Sequence, residues 1–217
     1  MISIKHYEPK YDKSWVYCKA LAYLFSDFWD DDSREKDDFS EYYEDSIELI
    51  ALDGATVVGL LDIGIYDKEA SRAYPYYSCD KLAYFANLAV HPDYQNQGIA
   101  NKLFEKAEKL LLSKKVQALS IFTRGDANAN YLYQKWGAEL IAKDWLVVGL
   151  PKTLHQDFTF KVLKNDQRLR FETTDGELSY YQREGVYIVS QEEALASFEA
   201  EAIYEERTYL KRYEETL

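Results

Sequence analysis

The spacing of apolar residues predicts alternating strands and helices along most of the 217-residue chain. Apolar and polar residues alternate at the N-terminus, as in a strand with one buried face, and apolar residues then recur at helical spacing. An Asp53-Gly54 turn between two apolar runs predicts a β-hairpin. The elements predicted in this half are a strand, a helix, a short second helix and two hairpin strands, at residues 2–7, 11–28, 39–45, 47–52 and 56–66.

Residues 82–100 have the layout of an anion-binding turn between a strand and a helix. Residues 82–90 are apolar apart from Asn87 and end before Pro92, which predicts a mostly buried strand. From Ile99 onward the apolar residues fall on one helical face, so Gly98 stands at the entrance of a helix. The first N–H groups of a helix lack internal partners, and a glycine lets a phosphate approach the backbone closely. A pyrophosphate would fit this turn.

A further strand–helix–strand unit follows, with strands at residues 118–123 and 138–150 and a helix at residues 128–136. Residues 67–81 form a connection whose structure the pattern does not define. The predicted order is βααββ followed by βαβαβ, in which the strands flanking a helix around the turn are parallel. The predicted fold class is therefore α/β, or α+β, with a central mixed, twisted sheet flanked by helices over residues 1–150.

Residues 151–217 predict a small C-terminal extension. Short apolar runs separated by turn residues indicate an antiparallel meander, with strands at residues 158–163, 169–173, 178–183 and 186–189. Ser190 and Glu193 form a capping box, and the apolar residues between Ala194 and Ile203 predict a helix. About 65 residues are few for independent stability, so the extension is expected to pack on the core, complete a binding pocket there or form a homodimer contact.

The formal net charge of -12 argues against nucleic acid as a partner, because phosphate contacts need clustered lysine and arginine. Acidic residues are concentrated between residues 26 and 48, where Arg34 and Lys36 are the only basic residues. This concentration could steer a cationic amine, or it could be a solvated surface that keeps the protein soluble. The carboxylates are those of Asp27, Asp30, Asp31, Asp32, Glu35, Asp37, Asp38, Glu41, Glu44, Asp45 and Glu48.

The sequence contains no apolar run of the roughly 18 residues that a membrane span needs, and its N-terminus lacks the pattern of a signal peptide. A cytoplasmic protein with no membrane partner is expected. Cys18 and Cys79 are too few for a disulfide framework, and no histidine lies near either at metal-ligand spacing. We therefore expect no metal, and two core or inert thiols.

Gln95-Asn96-Gln97-Gly98-Ile99-Ala100 matches the pattern Q/R-x-x-G-x-G/A and follows Leu88-Ala89-Val90. The turn resembles the coenzyme A signature of the GCN5-related N-acetyltransferases (GNAT), and the predicted order of elements over residues 1–150 matches that family's fold. The resemblance implies acetyl-CoA as co-substrate, with its pyrophosphate on the N–H groups of Gln97 to Ala100. Its pantetheine arm would run along residues 88–90 like an added strand, and the N–H of Val90 or Leu88 would meet the thioester carbonyl.

A second segment, Asp126 to Ala138, resembles the family's N-x-x-A-x-x-L-Y-x-x-x-G-F motif. The family's frequent general acid, the tyrosine of L-Y, corresponds to Tyr133, and a phenol can donate a proton to the departing thiolate. Tyr133 also belongs to an apolar helical stripe, so a core role is the competing interpretation, and Tyr131 and Tyr84 are substitute acids.

The same segment departs from the family motif at two positions. Asp126 replaces the usual asparagine and Ala138 the usual phenylalanine, so Asn128 or Asn130 is expected to contact the pantetheine arm instead. The candidate cofactor-binding residues are Leu88, Ala89, Val90, Gln95, Asn96, Gln97, Gly98, Ile99, Ala100, Asn128, Asn130 and Tyr133.

The general base is not evident from the sequence. Relatives that carry a glutamate in the cofactor strand have it at the position of Ala86, and neither Ala86 nor Asn87 can accept a proton. Asp62, or an ordered water held by strand carbonyls, could take the proton, although a strand carboxylate that faces solvent is the commoner role. His91 beside the turn is expected to be structural.

The resemblance implies an N-acetyltransferase that moves acetyl directly from acetyl-CoA to a primary amine within a ternary complex. The acidic composition favours a cationic small molecule or a basic peptide as the acceptor. The alternative is a non-catalytic sensor or interaction module that binds acyl-CoA, which the missing strand glutamate would favour.

Overall fold

A mixed β-sheet with helices on both faces forms the centre of the fold. The computed structural model describes residues 2–24, 26–28, 34–152, 159–163, 168–173, 176–178 and 185–213. The strands are β1 (Ser3–His6), β2 (Asp45–Asp53), β3 (Thr56–Ile65), β4 (Leu82–Val90), β5 (Ala118–Thr123), β6 (Glu139–Pro151), β7 (Thr159–Leu163), β8 (Arg168–Thr173), β9 (Gly176–Leu178), β10 (Val186–Val189) and β11 (Phe198–Arg212). The α-helices are α1 (Asp12–Tyr23), α2 (Lys68–Ala73), α3 (Ile99–Ser113) and α4 (Ala127–Lys135), and 3₁₀ turns span Pro9–Tyr11, Phe39–Glu41, Pro92–Tyr94 and Glu192–Ser197.

The chain divides into two compact units, residues 1–142 with 207–217 and residues 143–206. In the first unit the strand order is β1-β2-β3-β4-β5-β11, and β6 follows β11. All pairings described in this unit are antiparallel except that of β4 with β5, which is parallel. In the second unit β6 pairs antiparallel with β10, and β7, β8 and β9 form a separate antiparallel sheet. The boundary predicted at residue 150 falls inside β6.

Strand β3 is buried along nearly its whole length because helices cover both faces of the sheet. Leu61 and Ile63 belong to the apolar cluster that includes Leu103 of α3. Leu60 belongs to the opposite cluster, which contains Trp15 of α1. The residues of α3 that reach the core are spaced three or four apart, as predicted, and are Ile99, Leu103, Phe104, Ala107 and Leu111.

The predicted C-terminal helix is wrong. Residues 192–197 form a short 3₁₀ turn, and Phe198–Arg212 is a 15-residue strand. Its residues 207–212 pair with β5, and Tyr209 and Leu210 are only 1 % exposed. Phe198, Ala200, Ala202 and Tyr204 alternate with other residues, so the sequence also has the period of a strand. β11 lies between β5 and β6 in the sheet, so neighbouring strands satisfy its backbone and the tertiary context overrides the local helical pattern.

Two further local predictions differ from the structure. The second helix predicted at residues 39–45 is the 3₁₀ turn Phe39–Glu41, and β2 begins already at Asp45. The undefined connection contains α2, whose N-cap is Asp67. In the extension, β10 pairs with β6 rather than continuing the meander, and most of the strand predicted at residues 178–183 lies outside the described residues.

Candidate active site

Strands β4 and β5 separate after a short parallel pairing. β4 pairs with β5 only over residues 82–85, whereas its pairing with β3 continues to Val90. Ala86 has no partner on β3, so β4 carries a β-bulge there, a feature that is frequent beside active sites. Beyond the bulge β4 presents an open backbone edge, and a cleft of about 530 Å³ lies beside residues 88–90.

The backbone groups of Leu88 and Val90 face this cleft. The His91 N–H donates to the Val58 carbonyl on β3 at 3.0 Å, and successive residues of a strand direct their backbone groups to opposite sides. Ala89 therefore also pairs with β3, while Leu88 and Val90 point to the open edge. Accordingly, the Tyr23 hydroxyl donates to the Leu88 carbonyl at 3.4 Å, and Gln95 Nε2 donates to the Val90 carbonyl at 3.3 Å.

Side chains hold the turn that follows β4. His91 Nδ1 accepts a hydrogen bond from the Asp93 N–H at 3.2 Å, and the His91 ring packs edge-on against Tyr94. The Tyr94 hydroxyl donates to Asp53 Oδ2 at 3.0 Å, which ties the turn to the β2–β3 hairpin. These contacts give His91 a structural role, as the sequence analysis expected.

Gly98 is the N-cap of α3 and adopts a left-handed conformation, with φ 76° and ψ 13°. Asn96 is also left-handed, with φ 59°, a conformation that asparagine tolerates better than most residues. A Cβ at position 98 would have no other atom within 4 Å, so the backbone is open to solvent there. The unpaired N–H groups at the start of α3 therefore border a space that an anion can enter.

Tyr133 lies between the apolar core and the cleft. Its ring packs against Phe85 at 5.8 Å and Tyr209 at 6.1 Å between centroids, and its residue is 7 % exposed. Tyr133 also lines the cleft. Its position is therefore compatible with both a core role and a role as general acid. Burial, with a smaller contribution from Asp126, raises the pKa of Tyr133 above that of a free phenol. The hydroxyl therefore stays protonated through the ordinary pH range.

All the predicted cofactor-binding residues except Gln97 and Asn130 line the cleft. Asn130 has a structural role instead, because its Nδ2 donates to the Arg124 and Asp126 carbonyls at 2.7 and 2.6 Å. Its Oδ1 accepts from the Tyr209 hydroxyl at 2.9 Å, so the amide is fully used. The departure from the family motif at position 126 also has a physical account, since Asp126 caps α4 through a 2.7 Å bond from the Ala129 N–H.

A second pocket, of about 350 Å³, lies beside the part of β4 that precedes the cleft. Tyr84, Ala86 and Asn87 line it from β4, and residues 88–90, next along the strand, line the cleft. The other lining residues are Lys19, Asp37, Phe39, Tyr42 and Tyr43. Its wall is therefore rich in tyrosine and carries one acid and one base.

Behind this pocket Asp62 is fully buried, contrary to the commoner expectation that it faces solvent. Its Oδ2 accepts a hydrogen bond from Asn87 Nδ2 at 3.2 Å. Lys36 Nζ lies 3.7 Å from Asp62 Oδ1 and 2.6 Å from Glu48 Oε2. Burial raises the pKa of Asp62 to about 7, although the Lys36 ammonium opposes the increase. Asp62 can therefore gain or lose a proton near neutral pH.

Several residues of these pockets could not be identified from sequence. Lys36 approaches Asp62 from the acidic loop, where no periodicity indicates its direction. Tyr23, Ser26 and Phe28 line the cleft, whereas the helical stripe assigned residues 11–28 to one continuous helix. Among the described residues, no group of three histidine, cysteine or carboxylate side chains is arranged to hold a metal, and no helix is long and apolar enough to cross a membrane.

The chain belongs to the Acetyltransferase (GNAT) family, whose profile matches residues 15–138. An acetyltransferase of Yersinia pestis is 29 % identical over 117 residues, which cover 54 % of this chain and 72 % of that relative. The protein is thus an acetyltransferase, and acetyl-CoA, the acetyl donor of the family, is its co-substrate. The predictions of family, enzyme class and co-substrate are confirmed.

Solved structures of the family share the fold. A GNAT acetyltransferase from Streptococcus pneumoniae matches with a TM-score of 0.58 at 15 % identity, over 98 % of this chain and 100 % of that one. The ribosomal-protein-S18-alanine N-acetyltransferase from Escherichia coli matches with a TM-score of 0.55 at 15 % identity, over 100 % and 99 % of the two chains. These likenesses confirm the predicted fold class.

Proposed function

We propose that the protein transfers the acetyl group of acetyl-CoA directly to a primary amine, carried by a cationic small molecule or a basic peptide in the cytoplasm. The observation that carries this proposal is the course of β4. Its open edge at residues 88–90 borders the cleft beside Gly98, and its preceding residues border a second pocket. Donor and acceptor would therefore meet along one strand in a ternary complex, which avoids any covalent enzyme intermediate.

Acetyl-CoA would enter the cleft with its pyrophosphate on the N–H groups at the start of α3, beside Gly98. The pantetheine arm would extend along the open edge and exchange hydrogen bonds with Val90 and Leu88 as an added strand does. Leu88 is farther along β4 from Gly98 than Val90, so we assign its N–H to the thioester carbonyl. A hydrogen bond aimed at the charge that develops on this oxygen is worth about 3 kcal/mol.

Replacing Gly98 by alanine is expected to raise the Kd of acetyl-CoA about tenfold or more, equivalent to at least about 1.4 kcal/mol. Alanine is strained at the left-handed φ of 76°, and its Cβ would enter the open space assigned to the pyrophosphate. Isothermal titration calorimetry with acetyl-CoA measures the change.

Gly54→Ala is the matched control for this substitution. Gly54 has a φ of 60° and open space around a Cβ, and it lies in the β2–β3 turn and does not line the cleft, so the strain is comparable without a Cβ in the cleft. Equal losses of acetyl-CoA affinity in both variants would show that strain, rather than contact with the pyrophosphate, is responsible. That result would contradict the assignment of the pyrophosphate to the turn at Gly98.

The amine acceptor is assigned to the second pocket. Tyrosine rings and the Asp37 carboxylate suit an ammonium group, and the net charge of -12 favours a cation over an anion at long range. Lys19 also lines the pocket, but it is 3 % exposed and lies over the Trp15 and Tyr23 rings, so little of its surface meets an incoming ligand.

We assign the general base to Asp62, which is hydrogen-bonded to Asn87 of the pocket wall and would take the proton of the amine through one water beside Asn87. Asp62 can act only when ionised, and its pKa near 7 means that the ionised fraction grows as the pH rises through 7. The wild-type kcat/KM should therefore rise with pH across this range, separately from the ionisation of the acceptor amine at higher pH.

Asp62→Asn is expected to lower kcat about 100-fold and to abolish the limb of the kcat/KM profile near pH 7. Steady-state rates between pH 5.5 and 9 check both effects. Asp144→Asn is the control, because burial also raises the pKa of Asp144, which belongs to the second unit. A limb near pH 7 that persists in Asp62→Asn would assign the base to another titratable group, and an unchanged kcat would favour the ordered water that is the alternative.

Thiol release from acetyl-CoA in the presence of polyamines, aminoglycosides, amino acids and basic peptides tests the proposal as a whole. We expect release that depends on one of these amines. Thermal stabilisation by acetyl-CoA without release for any acceptor would instead favour the acyl-CoA sensor, and the absence of both would contradict each function.

A further inference from the structure

Tyr23 at the end of α1 and residues 26–28 close one end of the acetyl-CoA cleft. Tyr23, Ser26 and Phe28 all line the cleft, and the Tyr23 hydroxyl binds the Leu88 carbonyl at 3.4 Å. Phe28 stacks on Tyr23 with 5.9 Å between ring centroids, so Phe28 lies at the Leu88 end. Gly98 marks the opposite end. With the pyrophosphate at Gly98, Phe28 therefore lies where the thioester and its acyl group must end.

Three groups hold the Phe28 ring. Besides Tyr23, Phe122 of β5 contacts it edge-on at 6.3 Å between centroids, and the Arg124 guanidinium lies 4.8 Å from the ring centroid. Arg124 is itself 4 % exposed, and cation–π contacts of this kind strengthen as the cation loses its water. The ring thus has little freedom to turn away from the cleft.

The backbone of the segment is held as firmly as the ring. Arg124 Nη1 donates to the Asp27 carbonyl at 2.7 Å, directly before Phe28. Ser26 Oγ accepts from the Phe28 N–H at 3.2 Å and donates to the Tyr23 carbonyl at 3.0 Å. Residues 26–28 are therefore held in place beside the cleft, and a longer acyl group could enter only by displacing these contacts.

We propose that Phe28 is a specificity-determining residue that restricts the acyl group to the size of acetyl. The proposal rests on the proposed function and leaves the reaction itself unchanged. The neutral amine nitrogen forms the bond to the acyl carbon, the bond from that carbon to sulfur breaks, and the thiolate takes a proton while the amine loses one. Phe28 takes no part in these steps and acts through the space that it fills.

The size of the effect follows from the cost of adding a methylene to a filled apolar pocket. One extra methylene costs about 10- to 200-fold in discrimination. The wild-type protein should therefore bind acetyl-CoA at least about tenfold more tightly than butyryl-CoA, which carries two additional methylenes. Shortening the side chain at position 28 should reduce this ratio stepwise.

Dissociation constants for acetyl-, propionyl- and butyryl-CoA, measured by calorimetry in the wild-type chain and in Phe28→Leu, Phe28→Val and Phe28→Ala, test the proposal without any acceptor. We expect the butyryl-to-acetyl Kd ratio to fall about tenfold from the wild type to the smallest variant that folds. Phe28→Leu keeps most of the apolar volume, so a folded variant is available even where Phe28→Ala unfolds. Leu24→Ala is the control, because Leu24 is exposed, precedes the same segment and is absent from the lining of the cleft.

Two outcomes would overturn the proposal, and a third concerns the proposed function alone. A wild-type chain that binds acetyl-CoA and butyryl-CoA equally well has no acyl selectivity to explain. If the selectivity survives in all the folded Phe28 variants, or falls equally in Leu24→Ala, residues other than Phe28 limit the size of the acyl group. A wild-type chain that binds none of the three acyl-CoA compounds contradicts the assigned cleft before any variant is compared.

Discussion

Tyr133→Phe is expected to lower the turnover number of acetyl transfer about 10- to 1000-fold, with the Kd of acetyl-CoA changed by no more than about twofold. The substitution removes only the hydroxyl, whose proton we assign to the departing thiolate. Burial raises the pKa of Tyr133, so the group that donates this proton is fully protonated at any working pH. Steady-state kinetics at saturating acetyl-CoA, with the acceptor found in the panel above, measure the effect.

The same substitution should leave stability almost unchanged. The Tyr133 hydroxyl has no hydrogen bond to another residue within the part of the chain that the structure describes, and phenylalanine keeps the ring contacts with Phe85 and Tyr209. A fall in turnover at an unchanged melting temperature therefore reports chemistry. Unchanged turnover would leave Tyr133 with its core role alone.

Two other tyrosines serve as controls for this assignment. Tyr131 lines the cleft but is 68 % exposed, and Tyr84 lines the second pocket. Both were substitute acids in the sequence analysis. Tyr131→Phe and Tyr84→Phe should retain most of the turnover. A loss confined to one of these variants would transfer the role of the acid to that tyrosine.

The turn at Gly98 and the elements on either side of it were predictable because their determinants are local. Gly98 needs its conformation for a turn defined by its immediate neighbours, and the apolar face of α3 begins at the next residue. The strand before the turn carries its own pattern, and its alternation decides that Leu88 and Val90 share one side. Residue type and spacing were sufficient for all these features.

The acceptor side depends on contacts between residues far apart in the sequence. Asp62 is a single acid within an apolar strand; burial raises its pKa, and Lys36 of the acidic loop and Glu48 of β2 then lower and raise it. The separation of β4 from β5 is likewise a property of two strands joined by a helix. No local pattern contains this information: the open edge at residues 88–90 was implied only by the family resemblance, and the burial of Asp62 was not predicted.

The same limit explains the error at the C-terminus. Residues 194–203 satisfy a helical spacing and a strand alternation equally well, and the local pattern cannot choose between them. The choice is made by the sheet, in which β11 lies between β5 and β6 and pairs with β5 over residues 207–212. What looked like an appendage therefore supplies a strand of the central sheet.

A chain that ends at residue 150, the boundary predicted from sequence, is accordingly expected to lose cooperative folding. It would lack Tyr209 and Leu210, both 1 % exposed, and the hydrogen bonds of the Tyr209 hydroxyl with Asn130 and Gln134 at 2.9 and 3.1 Å.

A single change, Tyr209→Ala, should already reduce the free energy of unfolding by about 3–5 kcal/mol, because it combines a large cavity with an unpaired buried amide. Urea denaturation followed by circular dichroism measures both variants, and Ile203→Ala, at a 45 % exposed position of β11, should cost less than about 0.5 kcal/mol.

A complementary deletion separates the strand from the segment that precedes it. The Lys152 N–H donates to the Ser197 carbonyl at 2.7 Å, so a short glycine–serine turn can replace residues 153–196 and join β6 directly to β11. This chain lacks 44 residues, against 67 in the chain that ends at position 150, and it keeps β11 beside β5. It should unfold cooperatively and bind acetyl-CoA, whereas the chain ending at residue 150 should do neither. Cooperative unfolding of the chain that ends at residue 150 would contradict this account, since it would mean that β5 needs no second partner and that β11 is dispensable to the first unit.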